Sequence, residues 1–146
     1  MAGGPRAIII APKPIQIDPV EEVSVLFREL LKQLVEGVEG ATGAILLESA
    51  GEAVQWHHTD ESHSERLRLR SAYVAVMLQN SRTVAARTAV GEAARLVMQY
   101  DAATFIAQVI ERDYFVVLEL DPWANIAEAI YRLQPAVDRL RHALSA

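Results

Sequence analysis

Three histidines and two carboxylates fall within eight positions of one segment, Trp56-His57-His58-Thr59-Asp60-Glu61-Ser62-His63. Imidazole nitrogens and carboxylate oxygens are the donor set that zinc prefers. The spacing argues against a metal centre, however. Adjacent residues of an extended strand end point to opposite sides, so His57 and His58 diverge. The His-Glu-x-x-His pattern, which puts two imidazoles on one helix face, is absent. The segment therefore reads as a solvated loop with, at most, a weak response to pH. No metal or cofactor is expected.

Covalent catalysis is no better supported. A nucleophilic serine needs a base and an orienting acid beside it, and no Gly-x-Ser-x-Gly elbow occurs. No Gly-x-x-x-x-Gly-Lys loop is present to cradle nucleotide phosphates. The paired carboxylates Glu21-Glu22 are explained by a helix start. No catalytic residue is assigned, and the chain reads as a non-enzyme.

Composition narrows the remaining classes. The 146 residues fit a single domain, and hydrophobic residues form 51% of the chain, enough for a substantial core. The formal net charge of −5 argues against a protein that neutralises nucleic-acid phosphates. With no cysteine there is neither a disulfide framework nor a thiol nucleophile. No run approaches the ~18 apolar residues of a membrane span. Pro12 and Pro14 interrupt Ile8-Ile9-Ile10 before a signal-peptide core forms. The expectation is a cytoplasmic protein.

Residues 1–17 favour extended backbone because of their prolines, giving a tail or an accessory strand for a sheet edge. Residues 18–146 form the domain. Asp18-Pro19-Val20-Glu21 has the features of a helix start. Val20, Val23, Phe27, Leu30, Leu31, Leu34 and Val38 continue that helix as one apolar stripe, with Gly37 and Gly40 able to end it. Ala44–Leu47 and Glu52–His57 read as a hairpin around Ser49-Ala50-Gly51. A long helix follows, from about Glu61 to between Arg82 and Ala89. Its residues Leu67, Leu69, Tyr73, Val74, Val76, Met77, Leu78 and Val84 spread over an arc of roughly 200°, about twice what one sheet contact covers.

Three strands are predicted next, at Ala93–Tyr100, Thr104–Ile110 and Tyr114–Leu120, joined by turns short enough for an antiparallel meander. The last carries Tyr114, Val116, Leu118 and Leu120 on one face and Phe115 and Val117 on the other, so both sides of the sheet are covered. Asp121-Pro122 reads as the start of a final helix striped by Ile126, Ile130, Leu133, Val137, Leu140 and Leu144. Pro135 should bend that helix near Tyr131 to Pro135.

This order resembles the Roadblock family, which includes dynein light chains and the bacterial polarity protein MglB. The resemblance is carried by Gly43-Ala44-Ile45-Leu46-Leu47 with Gly51 and Glu52 after it, and by Val116-Val117-Leu118-Glu119-Leu120-Asp121-Pro122. It spans roughly Val20 to Ala143. Family members commonly have Asp-Gly at the hairpin, where this chain has Ser49-Ala50-Gly51.

The resemblance implies an α+β, three-layer α/β/α sandwich with a five-stranded antiparallel sheet, in the order helix-strand-strand-helix-strand-strand-strand-helix, a profilin-like shape. It also implies a homodimer formed by the third strands edge to edge and the middle helices side by side. The residues for that interface are Leu69, Tyr73, Val76, Met77, Asn80, Val84, Leu96, Val97 and Met98. By the same resemblance the partner is a small Ras-like GTPase, MglA-like, whose nucleotide cycle is modulated, as by a GTPase-activating protein. Arg66, Arg70, Tyr73 and Met77 would face it. Arg66, Arg68, Arg70, Arg82, Arg87 and Arg95 form either an ordinary solvated face or a patch that steers an acidic partner. The alternatives are a profilin-like or PAS-like ligand sensor and a purely structural dimerisation module.

Overall fold

The computed structural model describes residues 18–145. The tail or accessory strand expected for residues 1–17 lies outside the described residues. The chain proceeds through α1 (Pro19–Gly37), β1 (Ala41–Glu48), β2 (Ala53–His58), a 3-10 turn at Glu61–His63, α2 (Ser64–Thr88), β3 (Arg95–Gln99), β4 (Thr104–Glu111), β5 (Tyr114–Leu120) and α3 (Ile126–Leu144). The five strands form one sheet in the order β2-β1-β5-β4-β3, and every neighbouring pair is antiparallel.

Alternation along the strands divides the core into two layers. Ala44, Leu46, Ile106, Val116, Leu118 and Leu120 face α1 and α3. Ile45, Leu47, Phe105, Ala107, Phe115 and Val117 face α2. A sheet covered on both sides needs apolar residues at successive positions, which is why β1 and β5 read as continuous apolar runs. Fully burying each of the larger of these side chains, Val, Leu, Ile or Phe, is worth about 1.5–3 kcal/mol relative to leaving it in water.

Local signals account for the element ends. The Asp18 carboxylate accepts from the Val20 N–H at 3.0 Å, and Pro19 occupies the first turn of α1. After α1, Gly40 takes φ +87°, and a Cβ there would sit 2.7 Å from that of Ala124. Its carbonyl accepts from the Asp121 N–H at 2.7 Å. Only glycine lets this turn lie flat against the approach to α3.

Three expectations are corrected. The last helix does not begin at Asp121-Pro122. Those residues form a turn closed by Ala124 N–H donating to the Asp121 carbonyl at 3.1 Å, and Asn125 caps α3 by accepting from Glu128 N–H at 3.0 Å. Asparagine is as good a cap as aspartate, and it stands where the apolar stripe begins. The hydrogen-bonded helix then runs unbroken through Pro135. The third strand is shorter than expected, Arg95–Gln99, because it lies at the sheet edge and pairs on one side only, with β4. The third correction concerns His58, which is buried among other side chains at 5% exposure.

Candidate functional site

The long helix supplies the least satisfied surface. Of its broad apolar arc, Leu67, Val74 and Leu78 are buried against the sheet, whereas Leu69 (61%), Tyr73 (64%), Val76 (57%), Met77 (42%) and Val84 (58%) are exposed. Asn80 is exposed on the same side. Large apolar side chains wet along a single helix face mark an interaction surface rather than ordinary scatter. Beside this face lies β3, an edge strand with no neighbour beyond it among the described residues. Leu96 and Met98 turn toward the α2 layer and are half-buried, while Val97 points to the opposite face and is 37% exposed. The interface residues expected from the sequence are thus contiguous: one helix stripe and one sheet edge.

Where the first half of α2 meets the β3–β4 turn there is a hollow of about 260 Å³, lined by Arg70, Tyr73, Met77, Tyr100, Ala103 and Phe105. Tyr100 stands edge-on to Phe105, with ring centroids 6.1 Å apart. Its hydroxyl lies 4.0 Å from Met77 Sδ and 3.8 Å from Met98 Sδ, which ties helix and strand edge together.

A buried polar cluster underlies the helix's N-terminal half. Its centre is Glu119, 3% exposed, on the α2 face of β5. Thr42 is the extra residue where the β1–β5 register shifts, and its hydroxyl reaches Glu119 Oε1 at 2.7 Å. His58 Nε2 lies 3.1 Å from the same oxygen. The Asp60 N–H donates to His58 Nδ1 at 2.9 Å, so the neutral ring carries its proton on Nε2 and donates it to Glu119. Arg70 Nη1 stands 3.5 Å from Glu119 Oε2. That is ion-pair distance, although Oε2 has no partner in hydrogen-bond geometry. Arg70, on α2, is partly exposed, as is Thr42, and through Arg70 the cluster ties α2 to the sheet.

The rest of the histidine segment caps the helix entry. Asp60 accepts from both the N–H and the hydroxyl of Ser62 at 3.0 and 2.6 Å, which holds its carboxyl below the usual carboxylate range. His63 Nδ1 lies 3.0 Å from Arg66 Nη2. No cluster of histidine and carboxylate groups suited to a metal ion occurs among the described residues. His57 and His58 diverge, as strand alternation requires. His57 turns toward α1, where burial first, and then Lys32, push its pKa down. Because the unfolded chain then binds this proton more tightly, stability should fall as pH drops from about 7.5 to about 5.5. His57→Gln is expected to flatten that part of the dependence, read as melting temperature at the two pH values.

The electrostatic arrangement departs from a uniform arginine patch. Arg68 stacks 4.5 Å from the Trp56 ring centroid and pairs with Glu65 at 3.0 Å. Arg82 donates to the Arg112 carbonyl at 3.0 Å. Arg95 donates to the Gln108 side chain at 2.8 Å. Of the four residues expected to face a GTPase, Arg66, Arg70, Tyr73 and Met77 all lie on α2, and the last three share the hollow beside Tyr100. Sequence reasoning missed Glu119, which reads as the outward polar position of a strand. Its only signal was a carboxylate flanked on both sides by apolar residues in a strand with two buried faces.

No family profile matches the chain, and no curated protein matches its sequence. Solved structures do match its fold. A Roadblock/LC7 domain from Streptomyces avermitilis aligns with TM-score 0.73 at 19% identity, covering 82% of this chain and 98% of that one. The gliding protein MglB from Thermus thermophilus aligns with TM-score 0.72 at 16% identity, covering 92% and 97%. Profilin IB from Acanthamoeba castellanii aligns with TM-score 0.53 at 11% identity, covering 80% and 97%. No helix among the described residues is long and apolar enough to cross a membrane.

Proposed function

We infer that this chain, which has the Roadblock/LC7 fold, works as a homodimeric, non-enzymatic module that binds a small Ras-like GTPase and modulates its nucleotide cycle. The observation that carries the reading is the wet apolar stripe of α2 lying beside the free edge of β3. A second copy joined at that edge would continue the sheet and bring its own α2 against the stripe. The two helices together would then form a platform, with Arg66, Arg70, Tyr73 and Met77 turned to the GTPase. The chain would supply shape and charge, and the phosphoryl chemistry would stay with the GTPase and its magnesium. The setting for this activity is the cytoplasm.

A ligand-sensing role has less support. The two core layers are packed and mostly apolar, and the hollow beside Tyr100 is lined mostly by apolar and aromatic groups with few polar atoms to orient a small molecule. The test is to mix the protein with GTP-loaded and GDP-loaded small Ras-like GTPases from the same source and follow co-elution. Binding to one nucleotide state over the other is the expected result. Failure of every such GTPase to bind in either state would leave only the structural dimerisation module.

A further inference from the structure

We propose that residues 8–15 of this chain, which lie outside the described residues, add a strand to the sheet along the open edge of β2. β2 is the other outer strand of the order β2-β1-β5-β4-β3, with no neighbour beyond it among the described residues. Thr59 N–H donates to the Thr42 carbonyl at 2.9 Å, and the register continues with Ala44 opposite His57 and Leu46 opposite Gln55. By the alternation of an antiparallel ladder, Gln55 and His57 turn their backbone groups to β1, and Trp56 and His58 turn theirs outward. The Trp56 N–H accordingly meets a side chain, Gln55 Oε1 at 3.1 Å, rather than a strand.

The helix beside this edge is unfinished on its core-facing side. Val20, Val23, Phe27, Leu31 and Leu34 share one stripe of α1. Phe27, Leu31 and Leu34 are buried, whereas Val23 is 37% and Val20 74% exposed. Ser24, one turn after Val20, meets β2, because Gln55 Nε2 donates to its hydroxyl at 2.9 Å. The wet end of the stripe therefore lies next to the open edge, and one added strand would cover both.

The chain that would supply the strand ends in the right place. α1 stops at Gly37, β1 starts at Ala41 and Gly43 pairs with His58, so the end of α1 lies at the His58 end of β2. α1 thus runs in the sense of β2, and its start lies toward the Ala53 end. Only Gln16 and Ile17 separate Ile15 from the Asp18 cap. Two residues span about 7 Å, too little to return along a strand of six residues, about 20 Å long. The segment must arrive from the His58 end, antiparallel to β2.

Its residues fit that position. Ala11 and Lys13 each precede a proline and so favour extended backbone. Pro12 and Pro14 lack an N–H, which a strand tolerates only on its unpaired side. Being two residues apart they turn the same way, so Ala11, Lys13 and Ile15 face β2 and both prolines face outward. Residues opposite each other in an antiparallel pair share a sheet face, and Trp56 packs with the α2 layer. Ile9, Ala11 and Ile15 then join Trp56, whereas Ile8, Ile10 and Pro12 fall on the α1 face, beside Val20 and Val23. The outward prolines also stop a further strand from adding to this edge.

Amide hydrogen exchange followed by NMR tests the placement. The N–H groups of Trp56 and His58 should be protected in the unmodified chain. Lys13→Pro removes the N–H turned to β2 and should speed their exchange at least about 10-fold, as two lost ladder bonds would. Pro12→Ala, on the outward side, should leave both amides slow. The His57 N–H faces β1 and should exchange alike in all three proteins. Unchanged exchange of Trp56 and His58 in Lys13→Pro overturns the proposal, as does faster exchange in Pro12→Ala. Equal acceleration at His57 would mean a global effect and overturns it too. Faster exchange at Val97 in place of Trp56 would put the segment on the β3 edge, with the same consequence. Isotope-labelled Lys13→Pro should stay unprotected when mixed with an excess of unlabelled unmodified protein. Restored protection there would mean that a second copy supplies the strand, and overturns the placement within one chain.

Discussion

Val97→Pro should leave a single chain where the proposed homodimer forms. Proline at this position removes the N–H that faces the open edge, and in a two-fold pairing it does so twice. The ring also occupies the space the second strand would take. Two lost ladder hydrogen bonds cost about 1–3 kcal/mol before the clash of the rings is added, which corresponds to a dissociation constant raised by roughly 5- to 150-fold or more. Within one chain the loss is small, because the β3–β4 bonds use the neighbouring even-numbered residues. Far-UV circular dichroism should therefore remain that of the folded protein while light scattering reports the single-chain mass. Val97→Thr, which keeps the N–H and the β-branched shape, should stay dimeric. An unchanged dimer mass for Val97→Pro would refute the edge assignment.

Glu119→Ala should be the most damaging polar substitution in the fold. It deprives the His58 Nε2–H of its acceptor and Arg70 of its counter-charge, while the half-buried Thr42 hydroxyl keeps the Glu119 main-chain carbonyl at 3.2 Å. Leaving a buried donor unsatisfied costs about 1–3 kcal/mol, and the removal of one partner from a buried ion pair costs about 3–5 kcal/mol. Arg70 reaches water and recovers part of its solvation, so the expected loss is about 3 kcal/mol in a urea titration, near the lower end of that range. Glu119→Gln keeps an acceptor for Thr42 and His58 and should lose about half as much. A loss below about 1 kcal/mol for the alanine variant would mean that the cluster does not anchor α2. If the anchoring holds, Glu119→Gln should also free Arg70 on the interface side and weaken GTPase binding more than it weakens the fold.

Most of the architecture was legible from residue order. The unbroken apolar runs of β1 and β5 declare a sheet covered on both faces, and the stripes of α1 and α3 declare one covered face each. The arc of α2 was too wide for one contact, and the structure leaves its outer half wet, with Tyr73, Val76 and Val84 all more than half exposed. Caps were less legible. Asp121-Pro122 and Asn125 both satisfy the local chemistry of a helix start, and only the packing of the turn against Gly40 selects between them.

The site divides along the same line. Periodicity is local, because a helix repeats every 3.6 residues and a strand every two. The amino-acid sequence by itself therefore determined the element types, the faces they bury, and which helix carries surplus apolar surface. It also ruled out a thiol, a disulfide and a phosphate loop. Only the tertiary structure decided that β3 has no neighbour beyond it among the described residues, that the Tyr100 hydroxyl lies beside Met77 and Met98, and that Glu119, His58, Thr42 and Arg70 meet. Those four residues come from β5, β2, β1 and α2, and no periodicity within one segment encodes a meeting of four segments. Strand order and register settle it, because they are set by how the two core layers pack across the sheet.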